Sequence, residues 1–158
     1  MTYEGLNDDF LDLIEAFVAR RVRFVIVGAH ALAVHGHPRA TGDLDILVEP
    51  AKGNAVKVMD ALRAFGAPVD AHGVTLDDFV NEGTVYQIGL PPRRIDVLTQ
   101  ISGVTFEKAW TTRVEVRLES VGLDIPFLGK KALIDNKRAA GRAKDLLDAE
   151  LLSSMKKT

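Results

Sequence analysis

The octapeptide DLDILVEP at residues 43–50 constrains this chain more than any other stretch. Leu44, Ile46, Leu47 and Val48 read as a strand bound for a core, and Pro50 ends it. Side chains alternate along a strand, so Asp43 and Asp45 share one face while Leu44 and Ile46 point to the other. Ionised carboxylates are costly to bury unless something positive compensates them. A fold that uses this strand must therefore cover its apolar face and leave the mouth of the acidic face to water or a cation. By strand rise the two carboxylates stand about 6–7 Å apart, close enough for both to reach one hard divalent ion.

The surroundings alternate between helical and extended patterns. Leu6, Phe10, Leu13, Ile14 and Phe17 recur at helical spacing after a capping Asn7. RFVIVG is a short strand stopped by Gly28, and AHALAVHG is a short helix closed by Gly36. NAVKVMDALRAFG reads as a helix with Val56, Met59, Leu62 and Phe65 on its apolar side and Gly66 as its stop. TLDDFV and FEKAW are helical turns, TVYQIGL and RRIDVLT are neighbouring strands, and RVEVRLE pairs with LDIPFL as a hairpin. KKALIDNKRAA and AKDLLDAELLSS are helices that meet at Gly141. This order predicts an α+β (mixed α/β) domain, one sheet with helices packed on it and a C-terminal helical pair.

With 158 residues, 47% hydrophobic and 27% charged, the chain has the make-up of one soluble domain over 1–158. A net charge of −2 argues against broad electrostatic binding to nucleic acid. The absence of cysteine excludes disulfides, cysteine-zinc sites and thiol nucleophiles. The acidic, amphipathic N-terminus lacks the pattern of a signal peptide, and no apolar run approaches a membrane span. A cytoplasmic protein with no membrane partner is expected.

A third acid lies in the same context. Asp96 in RRIDVLT precedes Val97 and Leu98, and if that strand lies beside the first, Asp96 completes a three-carboxylate cluster. Three acids on adjacent strands can hold two metals about 3.5–4 Å apart, the arrangement of in-line phosphoryl or nucleotidyl displacement. Upstream, the strand–helix junction at Gly28 offers free backbone N–H groups for a phosphate, with Ala29 and His30 following.

These residues resemble a known pattern. VGAHALAVHGHPRATGDLDILVEP is similar to the N-terminal signature of the DNA polymerase β-like nucleotidyltransferase superfamily. More narrowly, it resembles the small bacterial branch with toxin–antitoxin and antibiotic-resistance relatives. The pattern there is an apolar strand, a Gly-Gly or Gly-Ser turn, a short helix, an Arg-x-Thr-x-Asp-x-Asp run and a later acid on a strand. Here the parts are Gly28-Ala29, Arg39 to Asp45, and Asp96. FLGKKALIDNKRAAGRAKDLLDAELL resembles the closing helical motif of the branch, with Lys137, Arg142, Lys144, Asp145 and Asp148 in order, so the likeness spans nearly the whole chain.

The resemblance implies a nucleotidyltransferase-like mixed sheet, a nucleoside triphosphate substrate and two Mg²⁺ ions. It implies transfer of a nucleotide to an acceptor hydroxyl with release of pyrophosphate. Asp43, Asp45 and Asp96 take the catalytic and metal-binding positions. Gly28, Ala29, His30, Arg39, Thr41, Arg94, Lys137 and Lys144 are the candidates around the nucleotide. The acceptor is left open among a small molecule, a protein and a transfer RNA, as is a cognate toxin or antitoxin partner. Ala29 stands where many relatives have serine or a second glycine. It keeps the backbone donor but lacks the hydroxyl, so a weak or inactive nucleotide- or partner-binding module is the competing reading.

Several of these residues have plainer roles open to them. Arg39 suits a phosphate or a surface ion pair, and Thr41 suits a turn. By alternation Arg94 shares its face with Asp96, near a triphosphate or as a charged guard of a sheet edge. Lys144 and Asp148 are spaced for a helix-surface pair. His30, His35 and His37 suit packing or loop positions better than a zinc site. Trp110 and the phenylalanines read as core.

Overall fold

The computed structural model describes residues 1–38 and 42–154. Helix α1 (Asp8–Ala19) is capped by Asn7, whose side chain accepts from the Phe10 N–H, and it buries Phe10, Leu13, Ile14 and Phe17. Strand β1 (Phe24–Val27) is buried along its whole length and runs straight into α2 (Gly28–Val34). Then follow β2 (Leu44–Val48), α3 (Lys52–Phe65), α4 (Leu76–Val80), β3 (Val85–Ile88) and β4 (Ile95–Leu98). The chain continues through α5 (Phe106–Thr111), β5 (Val114–Leu118), β6 (Leu123–Phe127), α6 (Lys130–Ala140) and α7 (Ala143–Ser154).

The six strands form one mixed sheet in the order β3-β4-β2-β1-β6-β5. Strand β1 pairs antiparallel with β2 and parallel with β6, while β2 pairs parallel with β4. Antiparallel β3 and β5 close the two sides. The direction of these pairings decides where the site lies. The C-terminal end of β1 and the N-terminal ends of β2 and β4 fall on one edge of the sheet, so the chemistry-bearing ends of three strands meet there. Beyond β5, the first residues add a short parallel bridge, with the Tyr3 N–H donating to the Arg117 carbonyl at 3.0 Å.

The expected helices and strands are all present, but two details differ. Helix α3 buries Ala55, Val58, Met59 and Leu62, whereas Val56 is exposed, so its inward face is turned by one residue from the expected one. Trp110 and Phe106 lie half-buried at the margin of the core, and Trp110 is covered by the guanidiniums of Arg23 at 4.7 Å and Arg113 at 3.9 Å. Phe10, Phe17, Phe24, Phe79 and Phe127 are core residues. Among the described residues, no helix is long and apolar enough to cross a membrane.

Candidate functional site

The strand register aligns the candidate acids. Val27 of β1 lies opposite Asp45 of β2, and Asp45 lies opposite Asp96 of β4. Asp43 stands two residues before Asp45, on the same face. Gly28 follows Val27 with φ +68°, and a Cβ there would run into the Asp45 carboxylate. This position therefore needs glycine twice over, for its left-handed backbone and for the closeness of the acid. The junction that opens α2 and the carboxylate cluster are in contact.

Arg94 ties the cluster together. Its backbone N–H donates to Asp43 Oδ1 at 3.0 Å, and its carbonyl accepts from the Leu44 N–H at 2.9 Å, which fixes the entrance of β2 against β4. Its guanidinium donates from Nε to Asp96 Oδ1 at 2.8 Å and from Nη2 to Asp96 Oδ2 at 3.2 Å. The same Nη2 stands 3.5 Å from Asp43 Oδ2. One guanidinium thus spans two of the three carboxylates.

Asp45 takes the electrostatic consequence. Burial first, then the charge of Asp96, a hydrogen bond with it and the charge of Asp43 push the Asp45 carboxyl up to about 7, with Arg94 opposing. A carboxyl so placed is short of positive charge. Hard, all-oxygen donors on adjacent strands suit a divalent ion such as Mg²⁺. The guanidinium standing as a cation among the oxygens points the same way. In the arrangement described, however, no three acidic or histidine side chains among the described residues converge on a point that could hold a metal. Arg94 takes the oxygens instead.

A second set of contacts positions the loop before Asp43. His30 is buried, with Nε2 at 3.0 Å from the Gly42 carbonyl and Nδ1 at 2.6 Å from the Tyr3 hydroxyl. A carbonyl only accepts, so Nε2 carries the proton and Nδ1 accepts from the Tyr3 O–H. Burial lowers the His30 pKa, opposed by the Gly42 bond and the Asp43 charge. The ring meets Tyr3 and Phe10 edge to face. Beside it lies a cleft of about 460 Å³, bounded by Tyr3, Phe10, Ala29, His30, Gly42 and Arg93 among others. A Cβ on Gly42 would stand 2.9 Å from that of Ala29, so a small residue at 29 and glycine at 42 let the loop and α2 approach.

The structure brings Gly28, Ala29, His30, Asp43, Asp45, Arg94 and Asp96 to one edge. Arg39 and Thr41 lie outside the described residues. Lys137 is paired within the helix pair: its ammonium stands 3.5 Å from Asp145 Oδ1 and 3.4 Å from Asp148 Oδ2, between α6 and α7. Asp148 is therefore turned into the helix pair rather than outward to a surface partner, and Lys144 is exposed on α7. Arg142 donates from Nε to Asp145 Oδ2 at 2.6 Å. His35 binds the Leu128 carbonyl from Nε2 at 2.7 Å. Tyr3 and Gly42 were not evident from the sequence. An N-terminal tyrosine carries no local signal of a contact with His30, and a glycine before Asp43 reads as an ordinary turn.

Known structures share this arrangement of elements. A Thermotoga maritima protein described as "a putative nucleotidyltransferase" superposes with a TM-score of 0.52 at 15% identity, over 96% of this chain and 94% of that one. The fold is nucleotidyltransferase-like. No protein-family profile matches the sequence, and no curated protein matches it.

Proposed function

We propose that this chain is a nucleotidyltransferase that moves a nucleotide from a nucleoside triphosphate to an acceptor hydroxyl. The observation that carries this reading is the placement of Asp45 directly opposite Asp96, with Asp43 on the same face and Gly28 against them. In this reading Asp43 and Asp45 hold Mg²⁺, with Asp96 completing the site. The bound metal would supply charge stabilisation for the phosphoryl oxygens. Asp96 is adjacent to Asp45 and would accept the proton of the attacking hydroxyl. The hydroxyl oxygen bonds to the α-phosphorus as the bond to pyrophosphate breaks. Gly28 and the following N–H groups line the phosphate side, and among the described residues Arg94 is a side-chain cation in contact with the cluster.

A second reading, a nucleotide- or partner-binding module with little chemistry, is favoured by Ala29. Relatives with serine there would offer a hydroxyl, whereas this chain has a methyl packed towards Gly42. The acceptor, whether a small molecule, a protein or a transfer RNA, and membership of a toxin–antitoxin pair belong to the same proposal. The test is incubation with each labelled triphosphate, Mg²⁺ and a lysate. Label transferred by the parent but not by Asp45→Asn, with pyrophosphate released, supports the transferase. Binding of triphosphate without pyrophosphate release under any condition favours the binding module.

A further inference from the structure

Arg94 carries more of the site than a charge near a phosphate would need. A sheet-edge guard or a free phosphate-binding arm would project its guanidinium into solvent. Here the fork lies flat on Asp96, with both carboxylate oxygens engaged at 2.8 and 3.2 Å, and Nη2 reaches Asp43 at 3.5 Å. The backbone of the same residue is bonded to Asp43 and Leu44, so its Cα cannot drift away from the acids. The oxygens it takes belong to two of the acids that the nucleotidyltransferase reading assigns to a divalent ion. Arginine cannot lose its proton to relieve a conflict, because its pKa lies far above neutrality. For a divalent ion to replace the fork on the oxygens it now holds, the guanidinium must move.

We propose that Arg94 is a resident counter-cation of the carboxylate cluster, so that its guanidinium and a divalent metal ion compete for Asp43 and Asp96. This rests on the nucleotidyltransferase reading for the metal's identity, but not for the competition itself. Without metal, the guanidinium bridges Asp43 and Asp96 and offsets part of the charge on Asp45. When the metal enters, the side chain swings off the acids while its backbone stays pinned. The displaced fork then lies close enough to meet a triphosphate that arrives with the metal, so metal and nucleotide would bind with positive coupling.

The test uses Mn²⁺ as the probe, because its free and bound forms are separable by electron paramagnetic resonance. The parent, Arg94→Gln and Arg94→Lys are compared after removal of divalent ions. Glutamine removes the competing charge, while lysine keeps it and loses the two-pronged fit. Arg94→Gln should bind Mn²⁺ on the order of tenfold more tightly than the parent, as expected when a close like charge is removed. Arg94→Lys should fall between them. In metal-free buffer Arg94→Gln should melt below the parent, and Mn²⁺ should raise its melting temperature by more than it raises the parent's.

Equal or weaker Mn²⁺ binding by Arg94→Gln overturns the competition, as does failure of all three proteins to bind Mn²⁺. If Arg94→Gln does not fold, Arg94→Lys still decides: Mn²⁺ binding no tighter than the parent's counts against the proposal. Pyrophosphate release is measured on the same proteins with each triphosphate, Mg²⁺ and the lysate that supplies the acceptor. A parent that releases pyrophosphate while the variants gain no Mn²⁺ affinity defeats this inference alone. The expected order of Mn²⁺ affinities with no release from any triphosphate defeats the transferase reading alone.

Discussion

Asp45 and Asp96 face each other across the parallel pairing of β2 and β4. Two carboxylates in that relation repel when both are ionised, and Asp43 adds to the repulsion. A pair kept for stability would be better built from an amide and an acid. Asp45→Asn preserves shape and removes one charge. In metal-free buffer near pH 8 it should therefore be more stable than the parent, by about 1 kcal/mol, the usual scale of gain when a functional residue is relaxed. Turnover should fall by about 10²–10³, as when one charge-stabilising group is removed from an active site. Urea unfolding of both proteins gives the first quantity. A variant less stable than the parent would make Asp45 a structural acid.

Gly28 and Gly141 separate two costs of losing a glycine. Both have left-handed backbones, with φ of +68° and +72°. At Gly141 an added Cβ meets nothing nearer than 3.8 Å, so Gly141→Ala should cost about 1–2 kcal/mol for the backbone alone. At Gly28 the Cβ also meets the Asp45 carboxylate. Gly28→Ala should cost clearly more, and adding Asp45→Ala should recover the excess. Equal melting temperatures for the two single variants would show that Asp45 does not press on Gly28.

The parts of the site that rest on local pattern were legible in the sequence. Strand alternation put Asp43 and Asp45 on one face, and Asn7 was readable as a cap. The sheet order was not legible as such, because non-local pairing leaves no periodic mark. That β4 adds beside β2, with β1 beyond it, is what turns three separate acids into a cluster. The inward face of α3 was misread because its sequence offers small and medium apolar residues on adjacent faces. Val56 looked apolar enough for the core, yet Ala55 and Val58 fill it. The Tyr3–His30–Gly42 chain was invisible because it joins three segments through side-chain bonds alone.

His35 should make stability fall in mild acid. Burial, partly offset by the Leu128 carbonyl bond and reinforced by the nearby Lys130 charge, lowers its pKa below the ordinary 6.5. Above that value both folded and unfolded chains hold it neutral. As pH falls below it, the unfolded chain takes up a proton first, so the unfolded state gains and stability is lost until the folded group also titrates. His35→Gln keeps an N–H donor for the Leu128 carbonyl but does not titrate. The stability of this variant relative to the parent should therefore rise between about pH 7.5 and pH 5.5. Denaturant midpoints at the two pH values measure it, and a difference that does not change with pH rules out the linkage.

Lys137 offers the sharpest separation of a structural role from a functional one. Its side chain is 11% exposed, and the aspartates it faces are 1% and 2% exposed. Burial alone would raise the Asp145 pKa, but the Arg142 bond and the Lys137 charge outweigh it, and the group stays ionised well below the usual carboxylate range. Lys137→Met would leave that buried negative charge with one cation fewer. Breaking a buried pair by removing one partner costs about 3–5 kcal/mol, and the lower end applies here because Arg142 still holds Asp145. Lys144→Met, at an exposed position, should stay within about 0.5 kcal/mol of the parent. The opposite pattern is equally readable. If Lys137 instead serves a phosphate, Lys137→Met should keep its stability and lose triphosphate affinity, so unfolding and calorimetry on the same two variants decide between the roles.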